Sequence, residues 1–229
     1  MILCLETATP LCSVALCDDA GIVALKESND SKSHASLLTV FIGELLKNNG
    51  IRPSELEAIA VSKGPGSYTG LRIGVSVAKG MAFATSIPLI GIETTCSMFH
   101  GISKNINENP SRLYCPMLDA RRLEVYYAIF DSSGNIVKEI SAEVMNEKSF
   151  SNYPDEQEIV LFGDGSQKLK DIIKKPGIIF DDSFRISASH LCSPSREAYN
   201  EKKFEDIAYF EPLYLKDFIT TKQKKNILG

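Results

Sequence analysis

Histidine is scarce in this chain. Only His34, His100 and His190 are present, and none belongs to an H-x-x-x-H or H-E-x-x-H pair, so the usual helical spacing of metal ligands is missing. The six cysteines, Cys4, Cys12, Cys17, Cys96, Cys115 and Cys192, form no C-x-x-C. Several sit inside apolar runs, as small hydrophobes do, which excludes a zinc-finger pattern and a secreted disulfide framework. Neither G-x-x-x-x-G-K-[ST] nor G-x-G-x-x-G occurs. No apolar run is long enough to span a bilayer, and no basic-then-apolar signal opens the chain, so a cytoplasmic location with no membrane partner is expected. The net charge is -4, and no global basic field advertises nucleic acid.

A chain of 229 residues with 44% hydrophobic and 24% charged residues can bury a large core. Its most distinctive stretch is residues 58–85, AIAVSKGPGSYTGLRIGVSVAKGMAFAT. A short apolar strand leads into the turn Lys63-Gly64-Pro65-Gly66-Ser67, and a helix capped by Ser67 or Thr69 follows. Free N–H groups at such a helix start, reached through Gly64 and Gly66, can hold an anion. Along the helix Gly70, Gly74, Ala78 and Ala82 recur every four residues and leave one face almost bare. Glycine inside a helix costs about 1 kcal/mol against alanine, so close packing must offset it. The pattern alone leaves two candidates for the packing surface: a helix of another chain, or an element of this one.

Taken in order, residues 1–7, 13–17 and 22–27 form an antiparallel meander, and residues 33–49 carry the i, i+3/i+4 apolar spacing of a helix. The stretch 58–85, a strand at 88–92 and a helix at 94–102 continue the half. The polar stretch 105–111 then reads as a boundary, giving an N-terminal half at 1–104 and a C-terminal half at 105–229. After it the opening returns: Leu5-Glu6-Thr7 and Leu118-Asp119-Ala120 lie 113 residues apart, and at the same offset Ala15 matches Ala128, Asp18 matches Asp131 and Gly21 matches Gly134. Strands at 123–130, 136–144, 158–162 and 178–180, and helices at 167–175 and 194–203, complete the second half. The polar end, from Thr220 with Lys222, Lys224 and Lys225, reads as a frayed tail or an RNA-touching one.

Glu6 and Asp119 each end a first strand, where a carboxylate serves a metal-bound phosphate or, more commonly, bonds nearby backbone N–H groups. Gly163-Asp164-Gly165-Ser166 follows a strand and opens a helix, as a phosphate site or a plain connection does. Arg121-Arg122 can clamp an anion, stand in solvent, or pair with Glu124. Ser36 and Ser67 have no visible base, and no nucleophile is assembled.

The run from Lys63 to Gly74 resembles the G-P-G-S-[FY]-T-G-[LI]-R-[IV]-G signature of the bacterial TsaB family, also called YeaZ. The opening I-L-x-L-E-T-A-T, C-S-V-A-L at 12–16, Asp119-Ala120-Arg121-Arg122 with Glu124-Val125-Tyr126-Tyr127-Ala128, Phe162-Gly163-Asp164-Gly165 and Pro212-Leu213-Tyr214-Leu215 extend the resemblance over essentially the whole chain. It implies an α/β fold of the actin/Hsp70/sugar-kinase (ribonuclease H-like) class, two duplicated halves with mixed sheets. It implies a non-catalytic scaffold of the machinery that forms N6-threonylcarbamoyladenosine at position 37 of ANN-reading tRNAs. The expected partners are a catalytic TsaD-type subunit and a TsaE-type ATPase, with a homodimer when alone, and tRNA reached through the complex. No cofactor or metal is expected on this chain, although the complex uses ATP. Gly70, Gly74, Ala78 and Ala82, rimmed by Arg72 and Lys79, are the expected interface, with Glu6, Thr7, Gly64, Gly66, Ser67, Asp119, Gly163 and Gly165 as nucleotide or phosphate candidates. TsaD carries paired histidines that bind a metal. Here His34 has no second histidine nearby, which argues against the older glycoprotease label. A metallopeptidase-like hydrolase and a nucleotide-binding ATPase of the same superfold are the rival readings.

Overall fold

The structure, a computed structural model, describes residues 1–29, 34–102 and 109–216, with the side chains of His34 and Ala35 outside the described part. The 104/105 boundary and the lysine-rich tail from Thr220 also lie outside the described residues.

Strands β1 (Ile2–Glu6), β2 (Cys12–Asp18) and β3 (Gly21–Ser28) form the meander, helix α1 (His34–Asn48) follows, and β4 (Ala58–Gly64), α2 (Tyr68–Thr85), β5 (Leu89–Glu93) and α3 (Thr94–Ile102) complete the first set. The second set is β6 (Leu113–Asp119), β7 (Glu124–Phe130), β8 (Ile136–Val144), β9 (Ile159–Phe162) and β10 (Ile178–Asp181), closed by α4 (Cys192–Asn200). The two sheets run β3-β2-β1-β4-β5 and β8-β7-β6-β9-β10. In each, the first three strands are antiparallel, and the fourth and fifth lie parallel to the first. The repeat seen in the sequence is therefore a repeat of sheet topology. It reaches the turns: Asp18 accepts from the Ala20 and Gly21 N–H groups at 2.8 and 3.1 Å, and Asp131 from those of Ser133 and Asn135 at 2.8 and 2.9 Å. Gly21 and Gly134 both take positive φ there, at 121° and 86°.

Alternation along the strands divides the core. Leu3 and Leu5 of β1, with Ile59 and Val61 of β4, face α1 and α2. Ile2 and Cys4, with Ala58 and Ala60, face the other way and are covered by Ala188, Leu191, Cys192 and Ala198 from the end of the chain. Met98, Phe99 and Ile102 of α3 instead pack with Tyr114, Leu118, Phe130 and Phe162 of the second sheet. The halves thus exchange covers: a helix following the first sheet closes the second, and a helix following the second closes the first.

The expected helix at 167–175 is shorter than its pattern suggested. A 3-10 turn at Gln167–Leu169 is followed by turns, with Leu169 N bonded to Ser166 O and Ile172 N to Leu169 O. Pro176-Gly177 bounds the segment, since proline cannot continue a helix. The absence of a disulfide pattern is also corrected, since Cys17 and Cys192 are bonded. Their 175-residue separation leaves no local motif to read.

Candidate functional site

The C-terminal ends of β1 and β4 meet the start of α2. Ser67 caps the helix, its hydroxyl accepting from the Gly70 N–H at 3.3 Å. Its own N–H donates to the Ala8 carbonyl at 2.6 Å, and the Leu71 N–H to the Ser67 carbonyl at 2.8 Å. These N–H groups are satisfied within the chain, so the turn does not present them to a phosphate. The bare face of α2 lies against the segment leaving β1. A Cβ on Gly70 would run into the Thr7 carbonyl oxygen, and one on Gly74 into the Thr7 hydroxyl. Ala78 and Ala82 are fully buried beside Val75 in the same core. This corrects the interface expectation: Gly70 and Gly74 are small because Thr7 of this chain occupies the space, and Ala78 and Ala82 are buried in this chain's own core.

Arg72 is exposed and Lys79 half-buried, and both bond within the chain. The Arg72 Nε donates to the Tyr214 hydroxyl at 3.1 Å, with its guanidinium 4.0 Å from the Tyr68 ring centre. The Lys79 ammonium donates to the Phe210 and Ala208 carbonyls at 2.8 and 3.3 Å. Together with Leu213 N to Lys63 O at 2.6 Å and Glu205 N to Leu89 O at 2.8 Å, they fasten residues 205–214 as a strap across α2 and the ends of β4 and β5. Lys216 carries the strap to the second half, where it pairs with Glu124 and lies over the Tyr126 ring. Glu124 is therefore taken by Lys216, and the expected pairing with Arg121 or Arg122 does not form. Both arginines are exposed, with φ of 72° and 50°. Sequence reasoning missed the strap, and Pro212-Leu213-Tyr214-Leu215 was its one visible signal.

The Glu6 carboxyl is fully buried. Oε1 accepts from the Ala8 N–H at 2.7 Å, and Oε2 is bonded to the Ser62 hydroxyl. Burial pushes it up to about 7, against the opposing pull of those bonds. It is a turn carboxylate sealed from solvent. Asp119 has the same place in β6 but is exposed. It accepts from the Arg121 N–H at 3.0 Å and pairs with Lys168, while its own N–H donates to Asp164 at 3.1 Å. Burial raises Asp164. Gly163 and Gly165 press against the Met117 and Leu118 backbone, as Gly70 presses against Thr7. Among the described residues no hydrogen bond or ion pair joins Glu6 to Asp119. Burial lowers His100 on α3, and His190 lies in the 3-10 turn Ala188–Leu191.

Apolar side chains stand out of the first half: Phe83 on α2 is 78% exposed, Val40 on α1 48%, and Ile22, Val23 and Leu25 of the edge strand β3 are exposed too. Among the described residues, one group with metal-ligand chemistry comes together: Cys4, Cys17 and Cys192. No helix among them is long and apolar enough to cross a membrane.

Residues 26–219 match the family TsaD, tRNA N6-adenosine threonylcarbamoyltransferase. The chain is similar to the tRNA threonylcarbamoyladenosine biosynthesis protein TsaB of Escherichia coli K12, 28% identical over 235 residues and 97% of both chains. It is equally similar to TsaB of Bacillus subtilis 168, 28% identical over 224 residues, 94% of this chain and 93% of that one. The solved structure of YeaZ from Pseudomonas aeruginosa superposes with a TM-score of 0.80 at 23% identity, over 93% of this chain and 99% of the other, and shares the fold. The duplicated sheets, the glycine signature and these matches agree: the chain belongs to the TsaD, tRNA N6-adenosine threonylcarbamoyltransferase family, among its TsaB (YeaZ) members.

Proposed function

We propose that this chain is a non-catalytic subunit of the machinery that forms N6-threonylcarbamoyladenosine in tRNA, paired with a catalytic TsaD-type protein and joined by a TsaE-type ATPase. ATP is used by the assembly, tRNA is reached through it, and the isolated chain pairs with itself. The relatives' names and full-length coverage support the pathway. One observation carries the non-catalytic role: the Glu6 carboxyl, at the strand end where chemistry would sit, is sealed, with both oxygens taken by Ala8 and Ser62. A carboxyl without solvent or substrate access exchanges no proton with a substrate.

The pairing surface is the outside of α1 and α2, not the glycine face. Phe83 and Val40 stand out of helices whose inner sides are already packed. A stable interface there buries about 1,200 Å² or more. Light scattering on the chain mixed with its TsaD-type partner should give a one-to-one complex, and Phe83→Glu should weaken it at least about tenfold with an unchanged melting midpoint. No complex with or without ATP and tRNA, or peptide hydrolysis by the chain alone, refutes the reading.

A further inference from the structure

Three sulfurs meet where no spacing in the sequence announces them. Cys4 of β1, Cys17 of β2 and Cys192, the first residue of α4, have Sγ atoms all within 4.8 Å of one another. They are 0%, 2% and 9% exposed. Cys17 and Cys192 form a disulfide, their Cα atoms 5.6 Å apart, while Cys4 stays a free thiol. A covalent tie needs two sulfurs, and the third has no part in it.

The third sulfur fits another use. Cys4 Sγ is 3.8 Å from Cys17 Sγ. That is about the edge of a sulfur tetrahedron around a cation with metal–sulfur bonds near 2.3 Å. The surrounding side chains, Ala15, Ala58, Ala60, Leu191 and Ala198, are apolar and mostly small, so the cluster is dry. The Ser195 hydroxyl lies 3.6 Å from Cys4 Sγ and donates to the Cys192 carbonyl oxygen at 3.1 Å, an outer group placed to orient Cys4. Charge is also provided for. Three thiolates around a divalent cation leave one negative charge. Arg196, one turn further along α4, acts on Cys4 while held by Glu57 and Asp19. The start of α4 favours a thiolate at Cys192.

We propose that, once the Cys17–Cys192 bond is reduced, Cys4, Cys17 and Cys192 form a site for a thiophilic divalent cation of the zinc class. Metal and disulfide are then alternative ties between α4 and the first sheet. A phosphine opens the bond by giving it two electrons. Water supplies the two thiol protons and the oxygen that leaves as phosphine oxide. The cation then replaces three thiol protons, which pass to solvent. Binding releases these protons, so uptake strengthens as pH rises.

The test uses the full chain, reduced with a phosphine under nitrogen and titrated with Zn²⁺ and, for its thiolate charge-transfer absorption, Cd²⁺. The expected result is one equivalent of metal and a melting midpoint raised by about 5 °C at a hundredfold excess over Kd. The oxidised chain should take up none. Reduced Cys4→Ser should bind at least about tenfold more weakly. Its oxidised form should keep the Cys17–Cys192 bond and the oxidised wild-type midpoint, which separates ligand loss from misfolding. Cys115→Ser, in the second sheet, should bind as wild type. The proposal is overturned if reduced wild type takes up no more metal than reduced Cys4→Ser, or binds none and only re-forms its disulfide.

Discussion

Replacing Glu6 with glutamine should remove a pH dependence from the stability of this chain. The buried carboxyl sits near 7 in the folded protein against 4.5 for an ordinary glutamate, because burial disfavours its charged form. A folded-state value above the unfolded one means that the native chain holds the proton more tightly. The stability gained is fully present below about pH 4.5 and is lost as pH rises through 7. A rise from 4.5 to about 7 corresponds to about 3 kcal/mol. Between pH 5 and pH 8 it should remove about 2 to 3 kcal/mol from the wild type. Glutamine reproduces the protonated acid. Its carbonyl accepts from the Ala8 N–H as Oε1 does, and its amide donates to the Ser62 hydroxyl. Urea unfolding of both proteins at pH 5, 6, 7 and 8 checks this. The stability difference should move in favour of Glu6→Gln by about 2 to 3 kcal/mol across the range, reaching a plateau above pH 8. Parallel curves, or a glutamine variant that loses ground as pH rises, would mean that Glu6 titrates like an exposed acid and that its burial does not govern its charge.

Two further outcomes rest on the backbone. Gly74→Leu should cost the fold rather than a partner, by about 3 kcal/mol or more, because the added Cβ meets the Thr7 hydroxyl in a closed contact; a soluble variant melting like wild type would refute the close packing. The double variant Arg121→Gly, Arg122→Gly should melt about 2 °C higher, since both arginines hold positive φ and relief of that strain outweighs the greater chain freedom of glycine. An equal or lower midpoint in a thermal scan would show the tip to be unstrained.

The duplicated plan of this protein is legible in its sequence because it is written in short-range signals. Strand alternation and the Asp18–Gly21 and Asp131–Gly134 turns depend on residues a few positions apart, and these local signals recur at the 113-residue offset that relates Glu6 to Asp119. The glycine signature likewise specified the strand, turn and capped helix of residues 58–85. Its spacing said that something approaches α2 closely. It could not say what, since a bare helix face is the same whether Thr7 or another chain lies on it. Only the tertiary structure decided that question, and it did so again wherever partners are distant in the chain. The strap joins Arg72 to Tyr214 across 142 positions, and Cys4 meets Ser195 across 191. The exchange of covers between α3 and α4 belongs to the same class. Periodicity marks which side of a helix is apolar, but packing selects which sheet that side covers.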